Sequence, residues 1–262
     1  MRIYRYSVGN AWYYGELEDG TMHRCVRFSR DRFEVKRAGG EDDPAQVKPL
    51  PPCNPSKIIC VGRNYSEHAA EMGNAVPDED PLIFLKPPSC LVAHGDEIVM
   101  PEGAGRVDYE GEIALVIADR CRNVSREQAF EHLLGVTAFN DVTARVWQKG
   151  DGQWTRGKGC DTFGPCGPFI DTSAAEALRE GGEERVELTV TTTHNGKQVQ
   201  HGSTKQLAFG LGFLISYIST YMTLEPGDII ATGTPAGVGP VASGDVVAVE
   251  LNCGPRLENK VR

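Results

Sequence analysis

Val107-Asp-Tyr-Glu-Gly-Glu-Ile-Ala-Leu-Val-Ile117 runs an acidic pair, Glu110 and Glu112, straight into five apolar residues. A short unbroken apolar run with β-branched residues reads as a strand covered on both faces. Its period of two places Glu110 and Glu112 on one face, with Asp108 in phase. Like charges at that spacing repel unless a cation or solvent compensates them. A solvated strand end and one half of a metal site are therefore both open readings. Gly111, between the two acids, would let another group approach closely.

Working outward, most segments read as strands. Arg2–Val8 and Ala11–Leu17 alternate around a turn signal, Glu18-Asp-Gly-Thr21. Lys57–Val61, Pro81–Leu85, Arg185–Thr193, Asp228–Thr232 and Asp245–Leu251 follow, with His194-Asn-Gly-Lys197 as a hairpin turn. Two amphipathic helices are predicted, Ser125–Leu134 and Leu207–Tyr221, beside a short one opened by Ser66 and ended by Gly73. The segment from Ser66 to Pro81 is expected to act as a lid. Residues 38–56 are rich in Gly, Pro and Asp and read as a linker. The prediction is an α+β, β-rich chain with a small N-terminal β domain (1–53) and a larger domain (54–262).

The chain has 262 residues and a net charge of −9, with 36 acidic against 27 basic residues, which argues against nucleic acid or an anionic membrane as a partner. No stretch reaches membrane-span length, and Met1–Val8 has no apolar run of signal-peptide length, so a cytoplasmic protein is expected. Its eight cysteines include no Cys-x-x-Cys, and none sits at zinc-ligand spacing with a histidine. They are read as free thiols packed like small hydrophobes.

Arg63-Asn-Tyr-Ser-Glu-His-Ala-Ala-Glu-Met72 puts His68 three residues before Glu71, the spacing of a base and its orienter on one helix face. A solvated helix with an incidental histidine is the alternative. The other histidines (His23, His94, His132, His194 and His201) show no comparable carboxylate in sequence and are taken as surface residues. Asp141 follows the apolar Val136-Thr-Ala-Phe-Asn140, and with Glu110 and Glu112 it would complete an all-oxygen set for a hard divalent ion. Alone, it reads equally as a turn residue. Lys158 lies between glycines, as it would where backbone nears a ligand, although a surface lysine fits too. Thr232-Gly-Thr-Pro-Ala-Gly-Val-Gly239 is a glycine-rich loop without the lysine of a phosphate loop. Such loops present backbone N–H groups to an anion or carbonyl.

Taken together and in this order, these runs resemble the fumarylacetoacetate hydrolase family. The matching stretches are Val61-Gly-Arg-Asn-Tyr-Ser-Glu-His-Ala-Ala-Glu71, Phe84-Leu-Lys-Pro87, Tyr109-Glu-Gly-Glu112, Asn140-Asp-Val-Thr-Ala-Arg145, Lys158-Gly-Cys-Asp-Thr-Phe-Gly-Pro165 and Gly227-Asp-Ile-Ile-Ala-Thr-Gly-Thr-Pro-Ala-Gly-Val-Gly239. The resemblance implies a mixed β-roll, a magnesium or manganese site (calcium can take its place in crystals) and a homodimer. It implies Glu110, Glu112 and Asp141 as metal ligands, Lys158 as the neighbouring cation and His68–Glu71 as the catalytic dyad. Arg63, Gln148 and Thr234 are carried as candidate substrate contacts. The short N-terminal region points to the short branch of the family, which holds acylpyruvases, oxaloacetate decarboxylases, and isomerases and decarboxylases of aromatic breakdown.

The expected activity is metal-dependent hydrolytic C–C cleavage of a small 2-oxo acid, an acylpyruvate such as fumarylpyruvate or acetylpyruvate. A divalent ion suits that class because it can chelate the 2-oxo group and the oxygen beside it. The runner-up is an isomerase or decarboxylase of a 2-hydroxymuconate or oxaloacetate type of substrate. A non-catalytic metal-binding protein on the same scaffold is the remote alternative, and the intact His68–Glu71 pair speaks against it.

Overall fold

The strand Gly111–Ile117 is buried at all seven positions. Its alternation feeds two cores. Ile113, Leu115 and Ile117 enter one apolar cluster, and Ala114 and Val116 enter another on the opposite face. Covered on both sides, the strand has no need of a polar face, which explains its unbroken apolar run. The computed structural model describes residues 1–27, 29–71, 77 and 79–262. Gly73 and much of the expected lid fall outside the described residues.

Around this strand runs a mixed twelve-stranded sheet. Its main path runs Val35–Asp42, Thr21–Arg27, Ala11–Glu18, Arg2–Val8, Gly164–Asp171, Leu133–Asn140, Gly111–Ile117, Ile229–Ala231, Ile58–Gly62 and Leu82–Lys86. The N-terminal meander thus continues the large sheet, through Arg2–Val8 paired antiparallel with Gly164–Asp171. A five-stranded sheet and a three-stranded one complete the β-rich α+β fold. The helices Thr172–Arg185 and Leu211–Tyr221 press Ala174, Ala175, Leu178, Leu214, Ile215 and Ile218 into the first cluster.

Several elements differ from the sequence reading. Ser125–Leu134 holds only a single 3₁₀ turn, Ala129–His132. Thr172–Arg185 is a helix where none was predicted. Asp171 caps it, accepting from the N–H groups of Ser173 (2.9 Å) and Ala174 (3.2 Å). Gly181 and Gly182 mask its periodicity, and Gly182 breaks the helix at φ 68°. Residues 38–42, read as the start of a linker, belong to the strand Val35–Asp42, paired with Thr21–Arg27. The hairpin turn forms as read, with positive φ at Asn195 (51°) and Gly196 (79°).

Gly111 does admit a close neighbour, but the neighbour is Thr192, from the five-stranded sheet. A Cβ at Gly111 would stand 1.9 Å from Thr192 Oγ1. Gly111 N–H also donates to Gln200 Oε1 (3.0 Å), and its carbonyl accepts from Thr234 Oγ1 (2.9 Å). Gly111→Ala should therefore destabilise the fold by about 1–3 kcal/mol, the usual cost of overpacking. The urea midpoint should fall with little change in slope; an unshifted midpoint would show that the two sheets part freely here.

Candidate active site

The antiparallel register Gly111↔Asn140 builds the site. It sets Asp141 opposite Glu110, and Asp141 N–H donates to the Glu110 carbonyl at 2.8 Å. Glu110 itself interrupts the regular strand: Val107–Tyr109 pairs in the three-stranded sheet, and Gly111–Ile117 in the large one. Glu110, Glu112 and Asp141 are all buried, and each offers an oxygen within 4.8 Å of the others. Asp108, expected in phase with them, shares the Arg145 guanidinium with Glu110 but stands outside the group of three oxygens. It binds Arg106 Nε (2.7 Å) and Arg145 Nε (2.8 Å).

Three buried cations face these carboxylates. Lys158, on the short helix Thr155–Gly159, reaches Glu110 Oε2 (2.7 Å) and Asp141 Oδ2 (2.5 Å). Arg145 Nη2 lies 2.5 Å from Glu110 Oε1. Lys86 ends the strand Leu82–Lys86, and its Nζ donates to Asp141 Oδ1 (2.6 Å) and to the Val142 carbonyl (3.2 Å). Sequence reading gave Lys86 no role. The available signal was a lysine closing an apolar strand, where a buried ammonium needs a carboxylate.

Glu112 is the exception. It accepts from the backbone N–H of Gly233 at 2.9 Å. Gly233 holds φ 102°, and a Cβ there would meet Asn64 Cβ at 2.9 Å, so only glycine brings that N–H so close. Burial, then Asp141 and Glu110, push the Glu112 carboxyl well above the ordinary range. Burial acts the same way on Glu110, but Lys158 and Arg145 outweigh it and hold that carboxyl below the ordinary range. Burial works against the charge of Lys158, and Asp141 and Glu110 overcome it, so the ammonium stays protonated. Glu112 thus resists ionisation more than Glu110, for want of a salt-bridge partner among the described residues. Three buried carboxylates with one uncompensated form a donor set that fits a hard divalent ion.

A cavity of about 370 Å³ opens onto this cluster. Its walls include Glu110, Glu112, Asp141, Lys158, His68, Phe84 and Trp154, and the three expected substrate contacts Arg63, Gln148 and Thr234. Arg63 sits in the left-handed region at φ 58°, a strained backbone state that clusters at functional sites. Gln148 Oε1 accepts from Arg145 Nη1 (3.0 Å), which leaves its amide nitrogen to donate. Thr234 is more committed: its hydroxyl donates to the Gly111 carbonyl and accepts from Gln200 Nε2 (2.8 Å).

His68, on the helix Ser66–Glu71, is 7% exposed and lines the cavity. Burial lowers its pKa below the ordinary 6.5, so near neutral pH it is an uncharged imidazole. Glu71 Oε2 lies 3.7 Å from His68 Nδ1, beyond hydrogen-bond length. Nδ1 itself is buried without a hydrogen-bond partner. Glu71 instead accepts from Gly237 N–H at 3.0 Å. The glycine-rich loop therefore spends two of its N–H groups, those of Gly233 and Gly237, on the chain's own carboxylates.

Three histidines read as surface residues do have carboxylate partners. His23 Nδ1 lies 3.4 Å from Glu41 Oε1, His132 Nδ1 lies 2.5 Å from Asp119 Oδ1, and His194 Nε2 lies 2.8 Å from Asp245 Oδ2. Long-range pairing supplies all three partners, out of reach of local spacing. All eight cysteines are free, and six of them are buried. Among the described residues, no helix is long and apolar enough to cross a membrane.

The family model for the fumarylacetoacetate (FAA) hydrolase C-terminal domain matches residues 57–262, and the chain belongs to that family. An uncharacterised protein of Archaeoglobus fulgidus is 51% identical over 223 residues, covering 82% of this chain and 85% of its own length. The solved structure of a 2-hydroxyhepta-2,4-diene-1,7-dioate isomerase from Mycobacterium marinum superposes with a TM-score of 0.87 at 37% identity, covering 100% of this chain and 98% of that one. A fumarylacetoacetate hydrolase from Exiguobacterium antarcticum gives a TM-score of 0.84 at 34% identity, covering 100% and 99%. Family members and neighbours are hydrolases and isomerases, which supports an enzyme.

Lys86 fixes one oxygen of Asp141, so its loss should be felt at the cluster. Where the cluster holds a divalent ion, Lys86→Met should weaken its binding by roughly 10–100-fold, the usual effect of removing a partner that orients a ligand. Calorimetric titration with magnesium or manganese would measure it, and an unchanged affinity would make Lys86 a packing residue only.

Proposed function

We propose that this chain is a magnesium- or manganese-dependent hydrolase that cleaves a C–C bond of a small acylpyruvate, of the fumarylpyruvate or acetylpyruvate kind. The observation that carries this reading is the meeting of an uncharged, buried histidine and three buried carboxylates at one cavity. Glu110, Glu112 and Asp141 would hold the ion, which when bound supplies Lewis acidity toward the 2-oxo group and the oxygen beside it.

The remaining work falls to the chain. His68 Nδ1 faces Glu71, so Nε2 is the nitrogen left to take a proton from water. Drawing Glu71 onto Nδ1 would fix that tautomer and stabilise the imidazolium; apo geometry at such pairs is often loose. The activated water adds to the distal carbonyl, and the C–C bond breaks with its electron pair moving to the pyruvate fragment. Lys158 offsets the negative charge already present, so that an anionic substrate can approach. Arg63 and the amide nitrogen of Gln148 stand on the cavity wall to orient the acid.

An isomerase of a 2-hydroxymuconate-type acid is the second reading, favoured by the likeness to the Mycobacterium marinum isomerase. Hydrolysis needs a placed water, and isomerisation needs that water excluded and a proton moved across the substrate. Residues 1–53 would form a small β domain ahead of a catalytic domain at 54–262, the family match beginning at residue 57. The reading also includes a homodimer working in aromatic breakdown, in the cytoplasm. The free thiols accord with a reducing compartment.

A turnover screen with magnesium separates these readings, using acetylpyruvate, fumarylpyruvate, oxaloacetate and 5-carboxymethyl-2-hydroxymuconate. Pyruvate released from an acylpyruvate supports hydrolysis; turnover of the muconate alone would replace it with isomerisation. His68→Ala should lower kcat by roughly 10²–10⁴-fold while metal affinity holds. Lost metal binding in that variant would make His68 a ligand and sink the mechanism.

The pH profile gives an independent check. The folded pKa of His68 is depressed, so the base is neutral above that value and is lost as pH falls through it. The acid limb of kcat/KM should bend below pH 6.5. A limb bending above that value would assign the base to another group.

A further inference from the structure

Past the far end of Gly111–Ile117, away from the carboxylate cluster, three different donor groups converge. Asp119, Cys121 and His132 each offer one ligand atom, and these atoms lie within 4.8 Å of one another. Asp119 stands seven residues beyond Glu112, about 20 Å along an extended chain. The backbone fixes all three. Ala118 N–H donates to the His132 carbonyl (2.8 Å), and Cys121 exchanges both backbone hydrogen bonds with Leu224 (3.0 and 2.9 Å). An isolated bridge joins Asp119 to Arg32.

The side chains are graded in access. Cys121 is 7% exposed, while the side chains of Asp119 and His132 are 20% and 27% exposed, which leaves a way in from solvent. Arg32 Nη1 holds Asp119 Oδ2 at 2.8 Å, so Oδ1 is the oxygen that faces His132 Nδ1. A ligating carboxylate anchored through its second oxygen in this way is oriented toward the ion. Sulfur, imidazole nitrogen and one carboxylate oxygen are donors for a borderline ion; magnesium, by contrast, takes oxygen ligands.

We propose that Asp119, Cys121 and His132 form a second metal site, for zinc or an ion of similar softness, with water as the fourth ligand. Binding forms the sulfur–metal bond and releases the Cys121 thiol proton to solvent. His132 coordinates through Nδ1; the proton that Nδ1 now donates to Asp119 passes through solvent to Nε2, so the ring stays neutral. The ion replaces the hydrogen bond that now joins His132 to Asp119.

The position suggests a purpose. Asp119 and Cys121 follow Gly111–Ile117, and His132 immediately precedes its partner strand Leu133–Asn140. Pairing of these strands is irregular at this end, between Val116 and Ile117. An ion here clasps the two strands at their irregular end, and their opposite end carries Glu110 and Asp141. The clasp would hold the register on which the active site depends.

The test is cobalt(II) titration of the full chain with magnesium in excess to occupy the carboxylate site. One equivalent should give a thiolate-to-cobalt charge-transfer band in the near ultraviolet, with visible absorption of tetrahedral type, and zinc should displace it. Cys121→Ser should abolish the band, and His132→Ala should weaken binding at least ~10-fold. Glu112→Gln should leave the band in place. Zinc should raise the thermal midpoint of the wild-type chain and not that of His132→Ala. Absence of a band in the wild-type chain, or an equal band in both ligand variants, would overturn the proposal. If Cys121→Ser fails to fold, His132→Ala decides alone.

Discussion

Buried charge is the constraint on which the centre of this molecule rests. Asp108, Glu110, Glu112 and Asp141 are buried, against the buried cations Lys86, Arg145 and Lys158. An unpaired carboxylate in such a place costs several kcal/mol, so its neighbours are dictated by its charge. Asp108 takes Arg106 and Arg145, Glu110 takes Arg145 and Lys158, and Asp141 takes both lysines. Glu112 is left with a backbone N–H, and burial with the neighbouring carboxylates pushes its pKa up. Glu112 alone among the four has no salt bridge among the described residues, and with Glu110 and Asp141 it forms a group of three oxygens that could hold a metal ion.

The fold supplies this arrangement through register. Pairing Gly111 with Asn140 brings residues 29 apart onto one rung. A slip of one residue would turn every side chain of an apolar strand to the wrong face, so core and site are specified by the same pairing. The remaining cations arrive from elements that share no local sequence: Lys86 from a strand end, Arg145 from the start of a helix and Lys158 from a short helix. The polar centre is thus fastened to the apolar cores on either side, and a change in Thr192 or Gly111 would be transmitted to both.

What the sequence disclosed follows the range of the interactions. The in-phase Glu110 and Glu112 beside an apolar run, and His68 three residues before Glu71, were legible because each rests on local periodicity. Asp141 and Lys158 were legible only as members of ordered motifs, since each alone reads as a turn or surface residue. Lys86 was missed, because its role depends on a pairing across 55 residues. Thr172–Arg185 was hidden by its glycines, and Ser125–Leu134 carried a helical pattern that its surroundings did not honour. Local propensity gives way where tertiary packing decides.

The two lysines on Asp141 invite different roles. Lys86 holds Oδ1 and is anchored by the Val142 carbonyl, on the strand side of the cluster. Lys158 holds Oδ2 and also Glu110 Oε2, two of the oxygens an ion would need. On the proposed reading, cation and ammonium compete for the same oxygens, and Coulomb repulsion adds to the competition. Lys86 can stay in place as Asp141 turns one oxygen to the ion. Lys158 must yield at least one contact, and its ammonium already lies 5.0 Å from the Phe84 ring on the cavity wall. Its next available partner is an anion in the cavity. Metal occupancy would then convert Lys158 from a counter-ion of the protein into a counter-ion of the substrate, and charge balance alone would order the binding steps.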